Sequence, residues 1–290
     1  MTPQSDYLVT LARQVIQPYT YLPTLRAAMV TGSAAKGLSD NYSDLDLTCY
    51  YADELPSEEV LATIRQQHGA AARKWLIGDR AECSFAEAYD LYGIEVQIGH
   101  TTIAAWEASI DKVLVELDCE SPLQKALEGT LACQALFGDS YIQQWKDRLA
   151  AYPPVLAEAM VKKYLAFFPL WGLEPHFRTR DATLWFYQSM VEAAQNLVAV
   201  LAGLNRLYFT TFQFKRMNRF LQQMSIAPID LALRLERLFQ ADRTVAVAEL
   251  EALVAETINL VETYMPAIDT TKAKRRLGWR QQQWQESLVV

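Results

Sequence analysis

The hydrophobic pattern of this chain changes period once, at the double proline Pro153-Pro154, and that change bounds the fold more tightly than any other feature. Before it, helical and strand periods alternate. "RAAMVTG" is a short apolar run stopped by Gly32, "SDLDLTCYY" alternates and then turns β-favouring, and "AECSFAEAYDLYGIEVQIG" breaks into two strands with a turn near Asp90 to Gly93. Between and around them lie helices. One is capped at Ser5 with Leu8, Leu11 and Val15 on one face, one is capped at Ser57 and stopped at Gly69, and one runs from about Thr102 to Leu117. After the prolines only helical periods remain. Leu184, Gln188, Val191, Gln195 and Val198 fall at alternating four- and three-residue steps behind Asp181, and Asp230 caps a further helix. From Ala241 to Tyr264 the stripe is Val247, Leu250, Val254, Ile258 and Val261, ended by Pro266. The expected architecture is α+β: a mixed sheet with flanking helices over residues 1–150, then an all-α helical bundle over 151–290.

Chain totals narrow the function classes. With 290 residues, 51% hydrophobic and 21% charged, the chain has the composition of a globular protein with room for two cores. A formal charge of −7 disfavours broad attraction to nucleic acid and mildly favours a cationic small molecule. Cys49, Cys83, Cys119 and Cys133 show no paired spacing; Cys49 falls in an expected strand and Cys133 in an expected helix, as buried thiols. The start lacks a basic segment followed by an apolar one, and Met190 to Leu204 carries Glu192, Gln195 and Asn196. Neither a secretory signal nor a membrane span is expected, so the expected location is cytoplasmic.

The chemistry-bearing residues cluster in the first half. Asp44 and Asp46 stand two apart in a strand, so both carboxylates leave one face, about 6–7 Å apart at the backbone, while Leu45 and Leu47 point into the core. Like charges so placed are best tolerated around a cation, and hard oxygen donors without His or Cys favour Mg²⁺. Glu95, between Ile94 and Val96, shares a face with Gln97; beside the Asp44–Asp46 strand it would complete three carboxylates, enough for two ions about 3.5–4 Å apart. The turn at Gly32 and Ser33 offers backbone N–H groups and a hydroxyl to a phosphate, with Lys36 and Ser43 as further contacts. Asp40 reads as a turn residue. His100 reads as a hydrogen-bonded structural group, His68 as a helix C-terminal residue and His176 as part of a loop. In "LNRLYFTTFQFKRMNRF", Arg206 and Lys215 are candidate triphosphate cations among aromatic residues, against an equally weighted reading as a packed turn with a solvated basic face. "TKAKRR" reads as a solvated basic tail.

"GSAAKGLSDNYSDLDL" followed by "IEVQI" resembles the signature of the DNA polymerase β-like nucleotidyltransferase superfamily, over roughly the first hundred residues. The pairing with a helical second half is similar to that of bacterial antibiotic-type nucleotidyltransferases. The resemblance implies metal ligation by Asp44, Asp46 and Glu95, with Glu95 a ligand, a general base or both in turn, and phosphate binding at Gly32 and Ser33. It implies a Mg²⁺-dependent enzyme, with two ions, moving AMP from ATP to a hydroxyl of a small-molecule acceptor while pyrophosphate leaves. Transfer to tRNA or to a protein stays open as an alternative, as does a non-catalytic nucleotide-binding sensor.

Overall fold

Strand alternation organises the first part of the chain. In this computed structural model, which describes residues 1–70 and 72–282 and of Arg178 the backbone alone, the described residues form a six-stranded mixed sheet. The chain divides into two compact units, Met1–Ala151 and Tyr152–Val290, and the fold class is α+β.

In the first unit the elements are α1 (Pro3–Ile16), β1 (Leu25–Val30), α2 (Gly32–Ala35), β2 (Leu45–Tyr51), α3 (Glu58–Gln67), β3 (Arg73–Asp79), β4 (Ser84–Leu91), β5 (Ile94–Thr102), α4 (Ile103–Leu114), α5 (Gln124–Ala132), β6 (Gln134–Phe137) and α6 (Asp139–Ala150). The sheet order is β3-β4-β5-β2-β1-β6. All neighbours are antiparallel except β2 and β5, which run parallel with Leu45 opposite Val96, Asp46 opposite Gln97 and Leu47 opposite Ile98. One sheet face is apolar. Leu45, Leu47, Cys49, Phe85, Tyr89, Val96 and Ile98 pack there with Leu8, Leu11, Val15 and Ile16 of α1 and with Leu61 and Ile64 of α3. Each such side chain contributes about 1.5–3 kcal/mol on burial, which locks the register, since a one-residue slip would bury Asp46 and expose Leu47.

Helix starts follow side-chain chemistry. Ser57 caps α3 by accepting from Val60 N, and His68 is its C-cap. α1 begins earlier than its expected Ser5 cap: Thr2 accepts from Ser5 N at 3.2 Å, Pro3 takes the first turn, and Ser5 is buried. In the 72–80 and 118–150 stretches the structure adds β3, α5, β6 and α6, of which α6 buries Ile142, Trp145 and Leu149 at helical spacing. Cys133 is the residue that ends α5, beyond the helix in which it was expected.

The described residues of the second unit form helices and no strand: α7 (Pro154–Tyr164), α8 (Glu174–Thr179), α9 (Thr183–Leu204), α10 (Met217–Leu221), α11 (Leu231–Gln240), α12 (Arg243–Tyr264) and α13 (Thr271–Leu277). The five stripe residues of α12 are all buried. Over its first half α9 turns a different face inward, while Val198 of the expected stripe is buried. Leu184 and Val191 are exposed, whereas Phe186, Met190, Ala193, Ala194 and Leu197 are buried, because this helix is apolar around much of its circumference and its packing against α7 and α12 chooses the face. Asp181 and Asp230 do not cap through their side chains; α9 starts after Ala182, and Asp230 adopts a left-handed φ of 54°. His176 lies inside α8, not in a loop, and the basic "TKAKRR" segment forms α13, where Lys274 pairs with Glu262 at 2.5 Å. Among the described residues no helix is long and apolar enough to cross a membrane.

Candidate active site

The site is built where β1 ends, turns through Gly32 and meets the start of β2. Thr31 N donates to Asp46 O at 3.0 Å, so the turn is tied to the carboxylate strand by its backbone. Gly32 has φ +62°, and a Cβ built on it would sit 1.9 Å from Asp46 Oδ2. Both facts demand glycine: the backbone is left-handed, and the Asp46 carboxylate lies directly against it. α2 is a single helical turn whose first internal bond runs from Ala35 N to Thr31 O.

Hydroxyl groups pin the loop that follows. Ser33 Oγ lies 3.1 Å from Ser39 Oγ. Ser39 N donates to Ser5 Oγ at 2.9 Å, and Thr2 Oγ1 donates to Ser39 O at 2.8 Å. The loop therefore hangs on the first turn of α1, which explains why Ser5 is buried. Asp40 is the turn residue it was expected to be, accepting from Tyr42 N and from Ser43 Oγ. Ser43 is thus engaged within the loop. Lys36 points to Glu128 of α5, with its Nζ 2.6 and 2.7 Å from the two carboxylate oxygens.

Parallel pairing of β2 with β5 brings the third acid to the same face as the first two. Gln97 Nε2 donates to Asp44 Oδ2 and to Glu95 Oε1, both at 2.9 Å, and so bridges the two carboxylates. Glu95 is further held by Trp75 Nε1 at 3.2 Å and by Lys74 Nζ, 2.7 Å from Oε2. Lys74 is the largest influence on Glu95, holding its carboxyl below the usual range against an opposing desolvation, with Trp75 and Gln97 adding to the lowering. Among the described residues no three His, Cys, Asp or Glu side chains converge closely enough to hold an ion. Asp44 and Asp46, half-buried on one face, are the hard-oxygen pair that fits Mg²⁺; Glu95, with both oxygens taken by donors and an ammonium beside it, does not fit as a third ligand in this arrangement.

Sequence reasoning missed Gln97 as a bridge, Lys74 and Trp75 as partners of Glu95, and Glu128 as partner of Lys36. It also missed a polar network on the opposite, apolar face. There Glu87 is fully buried at a core position of β4 and accepts from Arg65 at 2.6 Å. His100 Nδ1 lies 2.9 Å from Tyr51 Oη, and its Nε2 faces Glu87 Oε1 at 3.7 Å. Burial pushes the His100 imidazole below its usual value, partly offset by Glu87. Its hydrogen-bonded structural role agrees with the sequence reading.

Arg206 and Lys215 belong to the second unit. Arg206 follows the end of α9 with a φ of 54°, its N–H donating to Gly203 O, which is a helix-ending geometry. Lys215 Nζ rests 5.5 Å from the centre of the exposed Phe212 ring. Tyr208 and Phe209 are buried, and Phe209 packs on Phe214 and Phe220. Most of the aromatic residues in that segment therefore serve the helical core.

No family model matches this chain, and no curated protein sequence does. Among solved structures it is similar to a nucleotidyltransferase-like protein from Exiguobacterium sibiricum, at 11% identity over 90% of this chain and 80% of that one, with a TM-score of 0.39. Overlap that loose carries no weight for either activity or substrate, and the geometry of the site stands alone.

Proposed function

We propose that this chain is a Mg²⁺-dependent nucleotidyltransferase that moves a nucleoside monophosphate, AMP from ATP, onto a hydroxyl of a small-molecule acceptor. The observation that carries this reading is the Asp46 carboxylate lying against the left-handed Gly32 turn, with Asp44 two residues away on the same strand face. An anion-tolerant turn and a pair of ion-binding carboxylates then share one spot, which is what a metal-bound triphosphate requires.

Asp44 and Asp46 would hold the ion, and Ser33 Oγ together with the backbone of the turn would receive phosphate oxygens. Bound Mg²⁺ supplies charge neutralisation of the triphosphate and a lowered pKa for the attacking hydroxyl. Gln97 keeps the Asp44 carboxylate oriented, and the hydroxyl chain through Ser39 and Ser5 keeps the turn in place. Lys36 and Ser43 hold the surrounding loop and helix in this arrangement. The net charge of −7 favours a cationic acceptor.

The test is pyrophosphate release from each NTP with Mg²⁺ and pooled hydroxyl acceptors, with Asp44→Ala/Asp46→Ala as the blank. Release above the blank with one NTP and one acceptor pool supports transfer. NTP binding without release favours the sensor reading, which the engagement of Glu95 by three donors makes worth keeping. Absence of NTP binding overturns the proposal.

A further inference from the structure

β3 pairs with β4 in a register that skips one residue: Arg73 lies opposite Tyr89 and Trp75 opposite Ala88, so Lys74 is the extra residue of a β-bulge. In a regular strand Lys74 and Trp75 would point to opposite faces. Here both reach the same carboxylate. Trp75 Nε1 donates to Glu95 Oε1 at 3.2 Å, and Lys74 Nζ lies 2.7 Å from Glu95 Oε2 and 3.2 Å from Asp90 Oδ1. Asp90 and Glu95 are themselves directly opposite across β4 and β5. The bulge therefore delivers an ammonium group onto a face that also carries Asp44 and Asp46, and Gln97 links the two halves of that face.

Taking the nucleotidyltransferase reading as its basis, we infer that Lys74 is a resident cation of the site, removing Glu95 from the ion-binding set so that the chain carries one divalent ion, on Asp44 and Asp46, instead of two. Three observations favour this over a purely structural pairing. Glu95 has no oxygen left without a donor. The backbone departs from regular pairing at the one residue whose side chain supplies the charge. Gln97, an amide, occupies the position opposite Asp46 where a further carboxylate would have made a second ion favourable. A lysine that served only to separate Asp90 from Glu95 would leave ion binding elsewhere on the face unchanged when removed.

Mn²⁺ titration of the full chain, read by loss of the free-ion paramagnetic resonance signal, separates these cases without depending on turnover. The expected result is one ion per chain in the wild type, none in Asp44→Ala/Asp46→Ala, one in Lys74→Arg, and a second ion or about tenfold tighter binding in Lys74→Met, where the Glu95 charge is released. Lys74 is exposed, so the Met variant is expected to keep the wild-type circular dichroism and melting temperature. Two ions in the wild type, or a Lys74→Met titration superimposable on the wild type, overturns the inference while leaving the transferase reading standing. No Mn²⁺ bound by the wild type overturns the transferase reading and this inference with it.

Discussion

A methyl group on residue 32 would fall 1.9 Å from Asp46 Oδ2 on a backbone already at φ +62°. Gly32→Ala is expected to displace that carboxylate and to cost about 1–2 kcal/mol in backbone conformation; Mn²⁺ titration should show lost ion binding while circular dichroism stays native. Asp44, Asp46 and Gly32 were legible because their signals are local: alternation in a strand, and a glycine at its preceding turn. Glu95 was legible as a same-face residue of a later strand. What holds it was not. Gln97 becomes a bridge only through the parallel register of β2 and β5, and Glu128 meets Lys36 across 92 positions of sequence. No local pattern encodes either meeting.

At the level of elements, β4 offers the sharpest case of a residue that breaks its own pattern. Phe85, Tyr89 and Leu91 face the apolar core, and Glu87 stands among them with Arg65 of α3. Arg65 also reaches Glu58 of its own helix, and its bond to Glu87 joins helix and strand through the same guanidinium. Glu87→Ala would remove one of the two carboxylates that hold the buried guanidinium and leave Glu58 as its remaining partner, and urea unfolding should show a loss of about 1–3 kcal/mol. His100 sets a pH dependence. Its folded-state affinity for protons lies below the usual 6.5, so the unfolded chain binds more protons as pH falls past that value. Stability is full above about pH 6.5 and declines below it, and the melting temperature should fall between about pH 7.5 and 5.5, with His100→Gln giving a flatter profile. Helices with a one-sided stripe, such as α12, could be placed from sequence. α9 could not be oriented, because a helix apolar on most sides lets its neighbours decide, and β3 carries no period because its residues are exposed on both faces.

Over the whole molecule, the change of period at Pro153-Pro154 lies beside the division into Met1–Ala151 and Tyr152–Val290. The buried apolar side chains of the first unit run from Leu8 to Leu149, and every side chain assigned to ion binding belongs to that unit too. A fragment spanning residues 1–151 is therefore expected to fold cooperatively and to bind Mn²⁺ as the full chain does, measured by calorimetric melting and by the same ion titration. The bulge at Lys74 has a further consequence for how such a molecule can change. Because Arg73 and Trp75 already pair with adjacent residues of β4, deleting position 74 would leave the register intact on both sides. A single insertion or deletion in an edge strand is then enough to add or withdraw a positive charge, with no residue of the carboxylate strands replaced. If Asp44 and Asp46 bind the ion as proposed, the length of one strand would act as a dial on the ion-binding capacity of its neighbours, and sequences that differ by one residue there would differ in chemistry while sharing every acidic side chain.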